Sequence, residues 1–419
     1  MINRIFSLLN LEKRKIIYFS VLITEKLFVL SFHFFVVNYL SSESYGIFNQ
    51  TNFISAFFQN ILMFGVAIPF IVEISKDYRL EKIFYNFFLP SSLIVSVLIF
   101  LIIIVFGEYF TIIIFGDPIF KNYLLILLIV IAADIFSEYI IVKHRVEDKL
   151  KYHSNFILFR TAIKISVLLM IFYLTDNFFL AFLISSILYL LLTLIISYLY
   201  FDLRPSNYYN LYQKNVYKIK SLFYEGFQFL IIYIIMTTSS ILINLLIVKN
   251  FDISTLAIYN FNFMLASAPI TILGYITFYA LPDFSRLTSN SDDIMSSNIF
   301  KDLLFSSIIF LIFFVAIFSI YDIIISLINE FYADRFLFSL IFISNFVFMI
   351  NNYLQFPLLS KKKYNNLIFI TLISLSFNLV YLFFINKNFT ILTPIYGFLI
   401  ANIIAFILLL LNHISTYHK

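Results

Sequence analysis

Runs of about 20 mostly apolar residues follow one another along almost the whole of this chain, and they restrict what it can fold into more than any motif does. A helix of that length crosses roughly 30 Å of hydrocarbon, and inside hydrocarbon only helices or closed barrels satisfy every backbone polar group. Reading the apolar stretches against their polar breaks predicts helices over 16–38, 46–74, 84–106, 121–142, 155–175, 178–200, 223–248, 255–281, 300–320, 336–359, 365–386 and 391–412. No soluble domain fits between them. The composition agrees: 62% of residues are hydrophobic and 12% charged, against about 25% charged in a soluble domain. The first run follows Lys13-Arg14-Lys15 and carries Glu25, Lys26 and His33, so it reads as a retained helix and not a cleaved signal.

The basic residues fall unevenly around these spans. If the chain alternates sides, 21 of the 28 lysines and arginines lie on the side shared by both termini, four on the other, and three within spans. Short cytoplasmic loops hold such an excess, so both termini are expected in the cytoplasm. This distribution accounts for the basic balance of the chain without a nucleic-acid partner. With no cysteine, disulfides and thiolate metal ligands are excluded. With no tryptophan, tyrosines such as Tyr39, Tyr45, Tyr109, Tyr123 and Tyr152 supply the aromatic anchors at span ends.

The chain also repeats itself. Tyr45-Gly46-Ile47-Phe48-Asn49 recurs as Leu256-Ala257-Ile258-Tyr259-Asn260, the IVEISK of 71–76 as the LPDFSR of 281–286, and Lys151-Tyr152 as Lys363-Tyr364. Three blocks in one order predict two copies of a half-length unit, a pattern typical of transporters with a site between the halves. An even number of spans per copy makes the copies parallel. The predicted architecture is an all-α polytopic membrane protein of about twelve helices in two parallel six-helix bundles. Residues 1–205 and 222–419 form the bundles, and 206–221 a cytoplasmic linker that is either amphipathic or simply solvated.

An ionisable group near mid-membrane costs at least about 2.5–3.5 kcal/mol, so each one needs a reason. Lys26 and His33, seven residues apart, share one face of the first helix, with Glu25 beside them. Lys26 either pairs with an acid or presents charge to a cleft. Asp134 and Glu138 stand at i and i+4 in the fourth helix, Arg160 and Lys164 likewise in the fifth. If those helices lie side by side, Glu138–Arg160 and Asp134–Lys164 form two stacked ion pairs, structural or part of a hydrated wall. Asn49, Asn52 and Gln59 stripe the second helix, Glu225 and Gln228 the seventh, and Asn260 the eighth. Under the repeat these stripes are expected to meet between the bundles. Gly65, Gly274 and Pro269 mark places for bending or close packing. No Walker A loop, HExxH, GxSxG or metal-ligand cluster is present, so neither an enzyme nor a metal site is expected.

Several segments together resemble bacterial polysaccharide flippases of the O-antigen (Wzx) type: LSSESYGIFNQ, GVAIPFIVEISK, EGFQFLIIYIIMTTSSILINLLIV, AIYN, LPDFSR and INEFYADRFLFSLIFI. These flippases belong to the multidrug/oligosaccharidyl-lipid/polysaccharide exporter superfamily, whose multidrug members are known as MATE transporters. The resemblance implies a MATE-like carrier in the bacterial inner membrane that moves an undecaprenyl-diphosphate-linked oligosaccharide outward by alternating access. It also implies membrane lipid and the polymerase and chain-length proteins of the pathway as partners, and a cationic cleft. By location, Lys26, His33, Arg160 and Lys164 would bind substrate with Asn52, Gln59, Gln228 and Asn260. Glu25, Asp134, Glu138 and Glu225 would pair with them or couple transport to protons or sodium, with no other cofactor. A multidrug exporter of the same superfamily is the rival reading.

Overall fold

The computed structural model describes residues 13–74, 87–146, 150–200, 205–269, 292–328, 330–384 and 389–417. Among the described residues every extended element is helical and none is a strand. The first unit comprises α1 (Lys13–Tyr39), α2 (Ser42–Leu62), α3 (Ala67–Ile74), α4 (Leu89–Val105), α5 (Gly107–Phe115), α6 (Tyr123–Val146), α7 (Leu150–Thr175) and α8 (Phe178–Tyr200). The second comprises α9 (Pro205–Asn250), α10 (253–269), α11 (Asp292–Ser326), α12 (Arg335–Ser360), α13 (Tyr364–Phe384) and α14 (Thr393–Tyr417). Nine of the described helices are long and apolar enough to cross a bilayer, or ten if α4 and α5 count as one bent span. The chain is thus a multi-pass membrane protein. The expected span two is absent from that number because Asn49, Gln50, Asn52 and Gln59 make α2 unusually polar. Twelve crossings and cytoplasmic termini remain readings of the charge pattern.

Local chemistry explains several boundaries. The Ser41 hydroxyl caps α2 by accepting from the Ser44 N–H, and Glu43 sits in its first turn, where the helix dipole favours an acid. Span two, predicted continuous from 46 to 74, is broken instead. Phe64 and Gly65 both take positive φ, 55° and 62°, and a turn separates α2 from α3. The residues after Val105, expected to connect spans on the outer side, form α5, which is turned 90° from α4. The expected linker at 206–221 lies within α9, a continuous 46-residue helix that becomes the seventh span. The closing LPDFSR, Gly274 and the loop lysines at 76, 149 and 387 lie outside the described residues.

The helix packing repeats as the sequence does. α7 packs on α1 and α8, and α8 on α6; correspondingly α13 packs on α9 and α14, and α14 on α12. Two side-chain contacts set the register. The Ser92 hydroxyl meets the Tyr139 hydroxyl at 2.9 Å, and Ser306 meets Tyr353 at 2.7 Å, the same pair 214 positions later. Lys121 pairs with Glu108 at 3.3 Å, and Arg335 with Asp322 at 3.3 Å, again 214 apart. The first contact keeps both residue types, whereas the second keeps only the charges, Arg for Lys and Asp for Glu.

The units also touch each other. At the end where α1 meets α2, Asn38 donates to the Leu327 carbonyl at 3.1 Å and Tyr45 packs edge-on against Tyr332. Gln50, whose amide bonds the Ile114 carbonyl, accepts from Asn244 of α9 at 3.0 Å. At the opposite end, which carries the basic connections, a Cβ on Gly65 would lie 2.5 Å from the Gly226 carbonyl oxygen. Only glycine permits that approach of two backbones and the positive φ together.

Candidate functional site

A cavity of about 410 Å³ opens within the first unit, bounded by α1, α2, α6, α7 and α8. It forms because α8 packs against both α6 and α7 while those two make little contact with each other. Each wall brings one polar face. From α2 come Asn52, Ser55 and Gln59 at i, i+3 and i+7; from α6 Asp134, Ser137 and Glu138; from α7 Arg160, Thr161 and Lys164; from α1 Glu25, Lys26 and His33.

Inside the cavity, cations and carboxylates keep mostly neutral company. Lys164 donates to Asn52 Oδ1 at 2.7 Å and stands over the Tyr189 ring. Asn52 is aimed by its own Nδ2, which bonds the Phe48 carbonyl at 2.8 Å. Arg160 donates to the Ser137 hydroxyl at 2.5 Å. Asp134 accepts from Ser55 at 2.5 Å and from the Tyr189 hydroxyl at 2.9 Å, while Gln59 donates to Glu138 at 3.1 Å. Glu25, only 3% exposed, accepts from Thr161 at 3.0 Å and pairs with Lys26 at 3.2 Å. His33 Nδ1 lies 3.0 Å from the Tyr45 hydroxyl.

Three sequence expectations change here. In place of the stacked Glu138–Arg160 and Asp134–Lys164 pairs, Arg160 donates to the Ser137 hydroxyl of α6 and Lys164 to the Asn52 amide of α2. The cavity is balanced rather than cationic, with Glu25, Asp134 and Glu138 against Lys26, Arg160 and Lys164. It also lies inside one unit: every residue lining it belongs to the first. Gln228, Glu225 and Asn260 do not join it. Gln228 contacts Tyr224 and Asn365 at the basic end, Glu225 binds Lys362, and Asn260 is buried in α10 with Nδ2 lacking a protein partner among the described residues.

Ser55, Ser137, Thr161 and Tyr189 complete the site and were missed. The first three could have been found, since each stands next to or between charged or amide residues on a striped face. Tyr189 had no local signal in its apolar helix. The equivalent place in the second unit, between α9, α12, α13 and α14, holds only about 40 Å³ and no charge. There Phe348 and Asn351 occupy the positions 214 beyond Asp134 and Ser137, and Asn351 donates to the Asn402 carbonyl at 2.9 Å. Among the described residues no group of three or more His, Asp or Glu side chains is placed to hold a metal.

A model of the family described as polysaccharide biosynthesis protein matches residues 35–328, from the end of α1 into the turn after α11. The chain belongs to that family. No curated protein matches it by sequence. In fold, this polysaccharide biosynthesis protein is similar to the lipid II flippase MurJ in an inward closed conformation, with TM-score 0.71, 14% identity, and 95% and 87% of the two chains covered. It is also similar to a mutant of the Vibrio cholerae MATE transporter VcmN, with TM-score 0.69, 12% identity and 97% of each chain covered. A third is the MATE multidrug transporter DinF-BH, with TM-score 0.64, 15% identity, and 93% and 91% covered. The family and the apolar helices together make this a multi-pass inner-membrane protein, and its fold is similar to those of MurJ and the MATE transporters.

Proposed function

We propose that this polysaccharide biosynthesis protein is a flippase. It carries an undecaprenyl-diphosphate-linked oligosaccharide, an O-antigen or capsule repeat unit, outward across the bacterial inner membrane by alternating access between units 1–205 and 222–419. The observation that supports this reading is that Arg160 and Lys164, deep in a membrane-embedded cavity, give hydrogen bonds to a hydroxyl and an amide oxygen. Phosphate oxygens are stronger acceptors than a hydroxyl or an amide, with charge-assisted bonds roughly twice as strong as neutral ones. A diphosphate therefore displaces Ser137 and Asn52, and the five guanidinium donors of Arg160 suit it better than a point charge would. Lys26 and His33 extend that wall toward α1.

The head group crosses in the protein because it is too polar for hydrocarbon, while the polyprenyl tail stays in lipid. An inside-negative potential of 100 mV favours outward movement of two negative charges by about 4.6 kcal/mol, less any protein charge that moves with them. Bringing two negative charges into a balanced cavity also favours protonation of Glu25, Asp134 or Glu138, which gives proton coupling a physical basis. Delivery to the outer leaflet places the substrate where polymerase and chain-length proteins use it.

Leaflet-specific labelling of the lipid-linked oligosaccharide in proteoliposomes tests the proposal. Wild-type protein is expected to expose the glycan on the far leaflet, and Arg160→Ala or Lys26→Ala to leave it behind while still inserting. Equal flipping by all three proteins overturns the site assignment; none by wild type overturns the function. The three acids of the cavity equally suit an organic cation, the substrate of a multidrug exporter. That reading predicts loss of cationic-dye export from cells lacking the protein, with surface glycan intact.

A further inference from the structure

At the basic end of the molecule one lysine joins the two units. Lys362, between α12 and α13 of the second unit, contacts Glu73 of α3 in the first unit at 2.5 Å and Glu225 of α9 at 2.8 Å. Next to Glu225, Gly226 sits against the break between α2 and α3: a Cβ there would collide with Val66 and with the Phe64 carbonyl. Phe223, one turn earlier on α9, packs on Phe64 and Phe88 of the first unit.

The backbone at Lys362 has a conformation that favours glycine. Lys363 N–H bonds the Leu358 carbonyl and Lys362 N–H the Leu359 carbonyl, which ends α12 in a turn whose left-handed residue is normally glycine. Lys362 takes that position at φ 54°, a strained conformation for a residue with a side chain. Burial alone would lower the pKa of its ammonium, but the bonds to Glu225 and Glu73 outweigh it and hold the pKa above the ordinary lysine value. The group is charged at every physiological pH.

We infer that Lys362, Glu73 and Glu225 form a latch that holds the two units together at this end, and that its release lets the units part on the side the charge pattern marks as cytoplasmic. Its use in transport rests on the alternating-access reading, but its test does not. The flanking Lys361 and Lys363 keep this end positive when the clasp is open.

The chain has no native cysteine, so spin labels can be placed without background. Labels at Tyr152→Cys on α7 and Tyr217→Cys on α9, both exposed positions, report the separation of the units by pulsed electron resonance in nanodiscs. The parent is expected to show mainly the short distance. Lys362→Gly, which relaxes the turn while removing the clasp, and Glu73→Gln are each expected to raise the ratio of long to short distances by about fivefold or more. The exchange Lys362→Glu with Glu73→Lys is expected to recover part of the loss. Distance distributions in Lys362→Gly and Glu73→Gln that superimpose on the parent overturn the latch, whatever the substrate proves to be. A Lys362→Gly protein that is more heat-stable and still closed assigns Lys362 to the turn alone and overturns it equally.

Discussion

Lys164 donates to Asn52 Oδ1 at 2.7 Å across the cavity, although Asp134 lines the same wall. Asp134 accepts instead from Ser55 and Tyr189, one on each oxygen. The cation is therefore held by a partner that an incoming anion can replace.

Replacing that partner with a carboxylate should lock the cation. Asn52→Asp is expected to weaken binding of undecaprenyl diphosphate by about tenfold or more, a change of about 1.4 kcal/mol per factor of ten. Binding measured on purified protein in nanodiscs checks this, and undiminished affinity removes Lys164 from the site.

Tyr189→Phe keeps the ring beneath Lys164 and deletes one donor to Asp134. A buried carboxylate that loses a donor costs about 1–3 kcal/mol, so the variant is expected to unfold at a lower temperature in detergent. An unshifted transition means that the Tyr189 hydroxyl contributes nothing to holding Asp134.

Gly226→Ala puts a methyl group against Val66 and the Phe64 carbonyl where the units meet. Overpacking of this kind costs about 1–3 kcal/mol, and here part of it should appear as separation of the units rather than unfolding. The spin-label distances already described read this directly; wild-type distances and stability together would mean that the approach of the two helices is looser than the structure has it.

Ser92→Ala and Ser306→Ala remove equivalent hydroxyl pairs in the two units. Each is expected to lower stability by about 0.5–1.5 kcal/mol, the net worth of one hydrogen bond, and by similar amounts. A large difference between the two in thermal unfolding would show that the units bear on this contact unequally despite their shared register.

The residues of the cavity were legible to different degrees. Lys26, Arg160, Lys164, Asp134 and Glu138 stood out because charge inside an apolar run is costly, and Asn52 and Gln59 because they share a helical face. Their partners were not legible: a one-dimensional pattern places Asp134 and Lys164 at similar depth but carries nothing about Tyr189 of α8 and Asn52 of α2 reaching them. Gln228, Glu225 and Asn260 were drawn in by the same stripe argument and lie elsewhere: α9 turns Gln228 and Glu225 toward the basic end, and Asn260 is buried in α10.

The amino-acid sequence by itself determined that this chain is helical, lies in a bilayer and is built twice over, because hydrocarbon allows few backbone solutions and a repeated pattern of apolar runs is read along one dimension. Only the tertiary structure decided that the polar cavity belongs to one unit, that its charges are balanced, and that Lys362 clasps the other unit. Those depend on which helix faces which, and side-chain distances between segments far apart in the chain follow from packing and not from spacing.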